Sequence, residues 1–469
     1  MLREIPKSNR VLAHRLMQCL TVVIRPLRVE ELAEVLAIEF DPSGGIPILN
    51  EDLRWEDQEK AVLSACSGLI TVIDDHFSRV VQFANFSVKE FLTSHRLADS
   101  EIDAFRHYHI RLESAHRIMA QACLSVLLRL DTDVDEASIT NFPLARYAAH
   151  NFGDHAEFGD VLSHIQQGVD FLLDADKPHF AAWVWLHDGI QSAWPPRRPK
   201  ATPLYIVAEF GYVSLVRYLI SKNPEDLSLG GECGTPLHAA VREGHTDVAK
   251  LLLGHLVDVD VQDFEGRTAL HVAVDKRLLD GIRLLLGHGA DINARDINGQ
   301  TPLYRIVKSV AIIPEDRGFD VAKLLLEQGA DADAKDSDDS TPLHAASYYG
   351  NVKIAHLLLD HGANVHARNK KGQTPLHEAV YTARDYGAGC HFDAMQLLLM
   401  HGTDIDTLDN DHSSPLHVAS KYGRIRAARL LLQNGADIHS RNYEGRTPLQ
   451  VAQTEGHEEF TRVLSEYSQ

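Results

Sequence analysis

The chain has 469 residues, 44% hydrophobic and 24% charged, enough to bury a sizeable core and ordinary for a soluble protein. Its formal net charge of -20 is shared by both halves, with 20 Lys/Arg against 29 Asp/Glu in residues 1–200 and 26 against 37 in residues 201–469. No basic half exists to hold nucleic acid or an anionic membrane surface. Cys19, Cys66, Cys123, Cys233 and Cys390 are odd in number and scattered, and the longest apolar runs, such as Leu20 to Ile24, are too short to cross a bilayer. A soluble protein of a reducing, cytoplasmic compartment is therefore expected, without a disulfide framework, a thiolate metal cage or a membrane span.

The first element is a helix ending before Arg25-Pro26. Arg28 to Phe40 then carries apolar residues at helical spacing (Val29, Leu32, Val35, Leu36), and Asp57 to Cys66 predicts a third helix. Leu69 to Ile73 and Val80 to Ala84 alternate like strands, joined through Asp74-Asp75. Three helices followed by two strands suggest a winged helix. Its third helix has one lysine, Lys60, against Glu56, Asp57 and Glu59, which disfavours reading of a DNA groove; a regulated DNA-binding protein is the alternative that this element order raises. Ile102 to Leu130, Pro143 to His155 and Val161 to Leu173 predict the helices of a connector. Phe180, Trp183, Trp185 and Trp194 then precede a stiff break, Pro195-Pro196-Arg197-Arg198-Pro199.

From there a unit opening with Thr-Pro-Leu, or a close variant, recurs eight times, at Thr202, Thr235, Thr268, Thr301, Thr341, Thr374, Ser414 and Thr447. The steps are 33, 33, 33, 40, 33, 40 and 33 residues. So short a unit cannot bury its own apolar face and must stack on its neighbours, and the end of such a stack must be covered, here by the Trp183/Trp185 helix. In the unit from Asp263, Gly266 supplies positive φ in a turn, Thr268 caps the first helix, Leu284-Leu285-Leu286 gives the second helix its buried face, and Gly289 ends it; in most units Pro opens the first helix.

These units resemble the ankyrin repeat: Thr235-Pro236-Leu237-His238-Ala239-Ala240, Thr341-Pro342-Leu343-His344-Ala345-Ala346 and Thr374-Pro375-Leu376-His377 carry that family's opening. The resemblance runs from Thr202 to about Leu464 and implies a β-turn finger and two antiparallel helices per unit, stacked as a solenoid. Cys233, Asp339 and His412 replace the turn glycine, and Asn223 and Leu256 the helix-ending one, which should cost about 1 kcal/mol each and loosen repeats two and five most. Both 40-residue units carry their extra residues between the helices, in Ser309 to Gly318 and Thr382 to Cys390, where two helical turns shared by the pair would absorb them.

Ile24-Arg25-Pro26-Leu27-Arg28-Val29-Glu30-Glu31-Leu32-Ala33, Cys66-Ser67-Gly68-Leu69 and Phe86-Ser87-Val88-Lys89-Glu90-Phe91-Leu92 look similar to the winged-helix region that follows the NACHT module of fungal NOD-like receptor proteins. Many of these end in ankyrin repeats, which implies an order of NTPase switch, winged helix, connector and sensor array. No Gly-x-x-x-x-Gly-Lys-Ser/Thr is present to cradle phosphates, so the switch itself is missing, and the chain is expected to be a truncated relative or to have a wrong start.

The expected fold is thus mostly α: a winged-helix-like α+β domain over 1–100, a helical connector and cap over 101–195, and an ankyrin solenoid of eight repeats over 196–469. The resemblance implies that a protein partner meets the finger tips and the inner face of the first helices. At the two helix positions before the usual Gly, tyrosine concentrates in repeats five to seven: Tyr348, Tyr349, Tyr381, Lys421 and Tyr422; neighbouring fingers add Lys370, Lys371 and Tyr443. Tyrosines beside positive charge on an acidic chain are the expected partner-binding set, with packing against the next repeat as the other reading.

His238, His271, His344, His377 and His417 recur once per repeat, but stacked helices about 8–10 Å apart cannot let two of them share a zinc, so hydrogen bonding within the repeat is expected. Asp331, Asp333, Asp336, Asp338 and Asp339 lack the glycine and glutamate of a calcium loop and coincide with a finger. No Gly-x-Ser-x-Gly or His-Glu-x-x-His occurs. A noncatalytic scaffold without cofactor or metal, monomeric, is the expectation.

Overall fold

Helix α1 (Arg10–Val22) forms because Ala13, Leu16, Met17 and Leu20 fall on one face, and that face is buried. The computed structural model describes residues 2, 5–40, 45–54, 57–66, 68–75, 78–130, 138–188, 200–229, 234–310, 316–383 and 390–467. After α1 come β1 (Leu27–Arg28), α2 (Val29–Leu36), β2 (Ile38–Glu39), β3 (Ile48–Leu49), α3 (Gln58–Ala65), β4 (Ile70–Asp75) and β5 (Ser78–Phe83). The antiparallel sheet has order β1-β5-β4, with buried Val81 opposite both Leu27 and Val72. This is a winged helix. Asp74 and Asp75 belong to β4 and do not form the hairpin turn, because the ladder continues to Asp75 opposite Ser78. The second helix ends at Leu36, where Ile38 turns into the small β2–β3 ladder.

Buried carboxylates brace the winged helix and tie it to the connector. Glu31, fully buried, accepts from the Arg25 guanidinium at 2.6 and 2.8 Å, lies 3.2 Å from Arg28 and caps α2 through the Arg28 N–H. Glu34 accepts from Arg54 and from the Leu144 N–H at 2.8 and 2.7 Å, and its burial pushes the carboxyl up to about 7. Cys19, Cys66 and Cys123 are buried free thiols, with burial pushing the first two up to about 12. Cys233 and the side chain of Cys390 lie outside the described residues.

The sheet is followed by α4 (Phe86–Leu92) and α5 (His95–Ala98), and the connector consists of α6 (Asp103–Arg106), α7 (Leu112–Leu127), α8 (Ala145–Ala156), α9 (Gln166–Leu172) and α10 (Pro178–His187); the helix expected from Ile102 is broken between α6 and α7. The first repeat, α11 (Pro203–Phe210) and α12 (Val213–Lys222), packs on it. Trp183 on α10 donates its indole N–H to the Ala149 carbonyl at 3.0 Å and meets Phe210 edge-on at 5.4 Å. Tyr212 reaches the His150 carbonyl at 3.0 Å only because Gly153 has no side chain, since a Cβ there would lie 2.2 Å from the Tyr212 ring. The expected docking of the tryptophan helix on repeat one is therefore observed; Trp194 and the proline-rich break lie outside the described residues.

Contacts divide the chain into two compact units, Met1–Glu232 and Cys233–Gln469. In the second, helix pairs follow one another as α13 (Pro236–Glu243) and α14 (Thr246–Leu253), α15 (Ala269–Asp275) and α16 (Leu279–Gly287), α17 (Pro302–Val310) and α18 (Asp316–Glu327), α19 (Pro342–Tyr349) and α20 (Val352–Asp360), α21 (Pro375–Thr382) and α22 (Cys390–Met400), α23 (Pro415–Tyr422) and α24 (Ile425–Gln433), and α25 (Pro448–Thr454) and α26 (Glu458–Tyr467). Each first helix starts where the threonine or serine holds an extended backbone, and its leucine, as at Leu270, Leu303, Leu343, Leu376 and Leu416, is fully buried between neighbours.

The two insertions lengthen mainly the second helices, to 12 residues in α18 and 11 in α22, while α21 keeps 8. The turns expected to be shared by the pair fall mostly on the second helix, with α17 at 9 residues; 311–315 and 384–389 lie outside the described residues. Asp339, His412 and Leu256 do adopt the left-handed conformation in place of glycine, at φ of 58°, 55° and 57°. Asn223 does not: its φ is -131° and the chain continues into a 3-10 turn, Pro224–Leu227.

Candidate protein-binding groove

The groove is built from its fingers. Five residues before the capping threonine or serine stands Asp263, Asp296, Asp336, Asn369, Asp409 or Asn442, and its side-chain oxygen accepts two backbone N–H groups, two and four residues on. The turn is thereby closed by one short side chain per repeat. Adjacent fingers then join through backbone bonds, Ile297 to Glu265, Ser337 to Asn298, Lys370 to Asp338, Asn410 to Lys371 and Tyr443 to Asp411, at 2.8–3.1 Å. Three of the aspartates considered for calcium are engaged: Asp336 closes its finger, Asp333 accepts the Asn364 N–H of the next repeat, and Asp331 accepts the Asp333 N–H.

The histidines hold the same region from below. In His344 the Nδ1 accepts the Thr341 N–H at 3.1 Å, which fixes the proton on Nε2, and Nε2 donates to the Gln373 carbonyl of the next finger at 2.9 Å. His238, His271, His377 and His417 repeat this with Arg267, Gln300, Ser413 and Arg446 at 3.0–3.1 Å. Their bonds were expected within the repeat; one of the two instead crosses to the following one. Burial lowers all five, His344 to about 4, so they are neutral at pH 7. In repeat four the residue is Tyr304, whose hydroxyl is hydrogen-bonded to Asp336 of the next finger.

Above this floor lies a groove of about 900 Å3 running over repeats four to eight. Tyr348, Tyr349, Tyr381, Lys421, Tyr422, Lys371 and Tyr443 all line it. Tyr349 meets Tyr348 at 5.0 Å, Tyr348 stacks on Tyr381 at 6.1 Å, and Tyr381 meets Tyr422 edge-on at 4.8 Å, a continuous aromatic ladder across three repeats. Tyr348, Tyr381 and Tyr422 are each 38% exposed, so every ring both packs on a neighbour and faces the groove, and Tyr443 at the next finger is 80% exposed. Lys421 and Arg424 lie 5.8 and 5.9 Å from the Tyr422 ring.

Two features differ from the sequence expectation. Lys370 does not line the groove, because its ammonium donates to the Ser337 carbonyl of the neighbouring finger. The lining is also not positive: Asp336, Asp338, Glu378, Asp409, Asp411, Glu444 and Glu455 face Lys308, Lys371, Lys421 and Arg446, and Arg446 pairs with Glu444. Asp336 and Asp409 are there because a short side-chain oxygen must accept two finger N–H groups, Asp338, Asp411 and Glu444 stand at the finger tips, and Glu378 on α21 and Glu455 after α25 come from the first helices. The signal was present, as the Asp or Asn five residues before each cap.

A family model described as ankyrin repeats (3 copies) matches residues 147–263, 204–296, 256–336, 309–388 and 383–469. A second, described as GPI inositol-deacylase, winged helix domain, matches residues 3–103. No curated protein matches the chain.

Proposed function

This chain belongs to the ankyrin-repeat family, and from that premise we propose that it is a noncatalytic scaffold that captures a protein partner in the groove of repeats four to eight. The observation that carries the reading is the tyrosine ladder: partly exposed rings, whose hydroxyls have no hydrogen-bond partner among the described residues, cross three repeats at the floor of one groove. Rigid aromatic side chains give contact area at small entropic cost and serve as anchors at interfaces. With seven carboxylates against four cations in the lining, the segment that fits carries basic side chains.

The winged helix is the ordering module that precedes the repeats, as in a NOD-like receptor arrangement. Glu59 on α3 is paired with Arg79 of β5, so the Arg79 guanidinium is met within the protein and is not offered to a DNA phosphate. No described helix is long and apolar enough to cross a membrane.

Affinity capture with the full chain, followed by quantitative binding, tests the reading. Tyr348→Ala with Tyr422→Ala should weaken the captured partner at least ~10-fold, while costing about 1 kcal/mol of stability through lost ring contacts. Undiminished binding in the folded variant would overturn it.

A further inference from the structure

Polar groups left without partners gather at one place in the first unit. Arg10, His14 and Gln18 follow at intervals of four on α1 and so share one face of it. The Nε of Arg10, the Nδ1 of His14 and the hydroxyl of Tyr108 are shielded from solvent and make no hydrogen bond. Gln18 is only 6% exposed, and its amide has no hydrogen-bond partner among the described residues. Native proteins satisfy such groups with a protein partner, an ordered water or an ion, and of these residues His14 and Gln18 line one pocket.

Between α1 and the chain from Ala98 to Ser114 lies a pocket of about 310 Å3, whose lining includes His14, Gln18, Arg106, His109, Arg111 and Ser114. Among the described residues none that lines it is acidic, in a chain of net charge -20. Arg106 is fixed at the rim by its bond to the Ser100 carbonyl at 2.9 Å. The crowding of basic groups is felt by His14, lowered to about 4 by burial and then by His107 and His109. Two guanidinium groups, imidazoles, an amide and a hydroxyl converging on one cavity match an oxyanion with several acceptor oxygens. The volume is at the low end of ligand pockets.

We propose that this pocket binds a small phosphate-type ligand, with Arg111 as its charge partner and His109, Gln18 and Ser114 as further hydrogen-bond donors. The pocket is built from the first unit and the partner groove from the second. Because the chain repels anions overall, binding here requires the local convergence and not the bulk charge.

Titration of the full chain with inorganic phosphate at constant ionic strength, followed by calorimetry, should show one saturable site. Arg111→Ala, an exposed change that leaves the core alone, should weaken it at least ~10-fold. Gln18→Leu should weaken it as well while the thermal melt is retained, and Leu256→Gly, an exposed change in the second unit, should bind as the unaltered chain does. Glycerol 3-phosphate binding tighter than phosphate would assign the ligand to small organic phosphates; equal or weaker binding would assign it to the free ion. Absence of a saturable site, or full binding in both Arg111→Ala and Gln18→Leu, would overturn the proposal.

Discussion

Buried polar side chains are handled in opposite ways by the two units. In the repeats one arrangement recurs: a histidine ties its own helix cap to the next finger, and an Asp or Asn closes that finger. In the winged helix and connector each solution occurs once, as in Glu31 with Arg25 and Arg28, Glu34 with Arg54, and Tyr147 bonded at 2.8 Å to His155, itself 3.0 Å from His116. Repetition spreads the stabilisation over nearest-neighbour contacts, so a lost contact is local. A unique contact has no substitute nearby.

That contrast can be broken from either side, and the four tryptophans, all within residues 1–232, let fluorescence report the first unit while circular dichroism is dominated by the helices of both. The largest effect is expected from Gly153→Ala, which would drive a Cβ into Tyr212 and should destabilise the first unit by about 3 kcal/mol, an overpacking cost seen as an early fluorescence transition in urea. Next, His344→Ala removes two buried hydrogen bonds and should cost the repeats about 2 kcal/mol, seen by circular dichroism with little change in the tryptophan transition.

The pH dependence sharpens the same point. His344 is lowered to about 4 when folded against about 6.5 unfolded, so the unfolded chain binds the extra proton between those values. Stability is complete above pH 6.5 and is lost as pH falls toward 4, with His238, His271, His377 and His417 adding in the same direction. Glu34 in the first unit acts oppositely: its folded value is raised to about 7, so the stability it contributes is present at low pH and is lost as pH rises through 7. Thermal melts from pH 4 to 8 should show the repeats gaining stability up to pH 6.5, and His344→Gln should flatten that rise. The smallest effect is expected from Leu256→Gly: a 94% exposed leucine held at φ 57° gives way to the residue that prefers it, for a gain of about 1 kcal/mol.

Much of the repeat region was legible because its signals are local. Thr-Pro-Leu places a cap, a first helical residue and a core residue in three consecutive positions, and the helices begin at Pro236, Pro342, Pro375, Pro415 and Pro448 accordingly. The tyrosines at the ends of α19, α21 and α23 fell in one groove because a constant register puts equivalent positions side by side. What was not legible depended on the neighbouring unit. The histidine bond to the next finger spans 29 residues in the 33-residue units, and part of the groove's acidity comes from Asp336 and Asp409, whose carboxylates also close their fingers. In the first unit the sheet was half legible: β1 is two residues long and shows no alternation, and the ladder itself carries β4 through Asp74-Asp75.

The most direct measurement is amide hydrogen exchange of the full chain with and without its captured partner. Capture in the groove predicts slowed exchange at the fingers and first-helix ends, around Asp338, Tyr348, Lys371, Tyr381, Asp411, Tyr422 and Tyr443, with α20, α24 and the winged helix unchanged. Protection confined to α20 and α24, or to the winged helix, would contradict it.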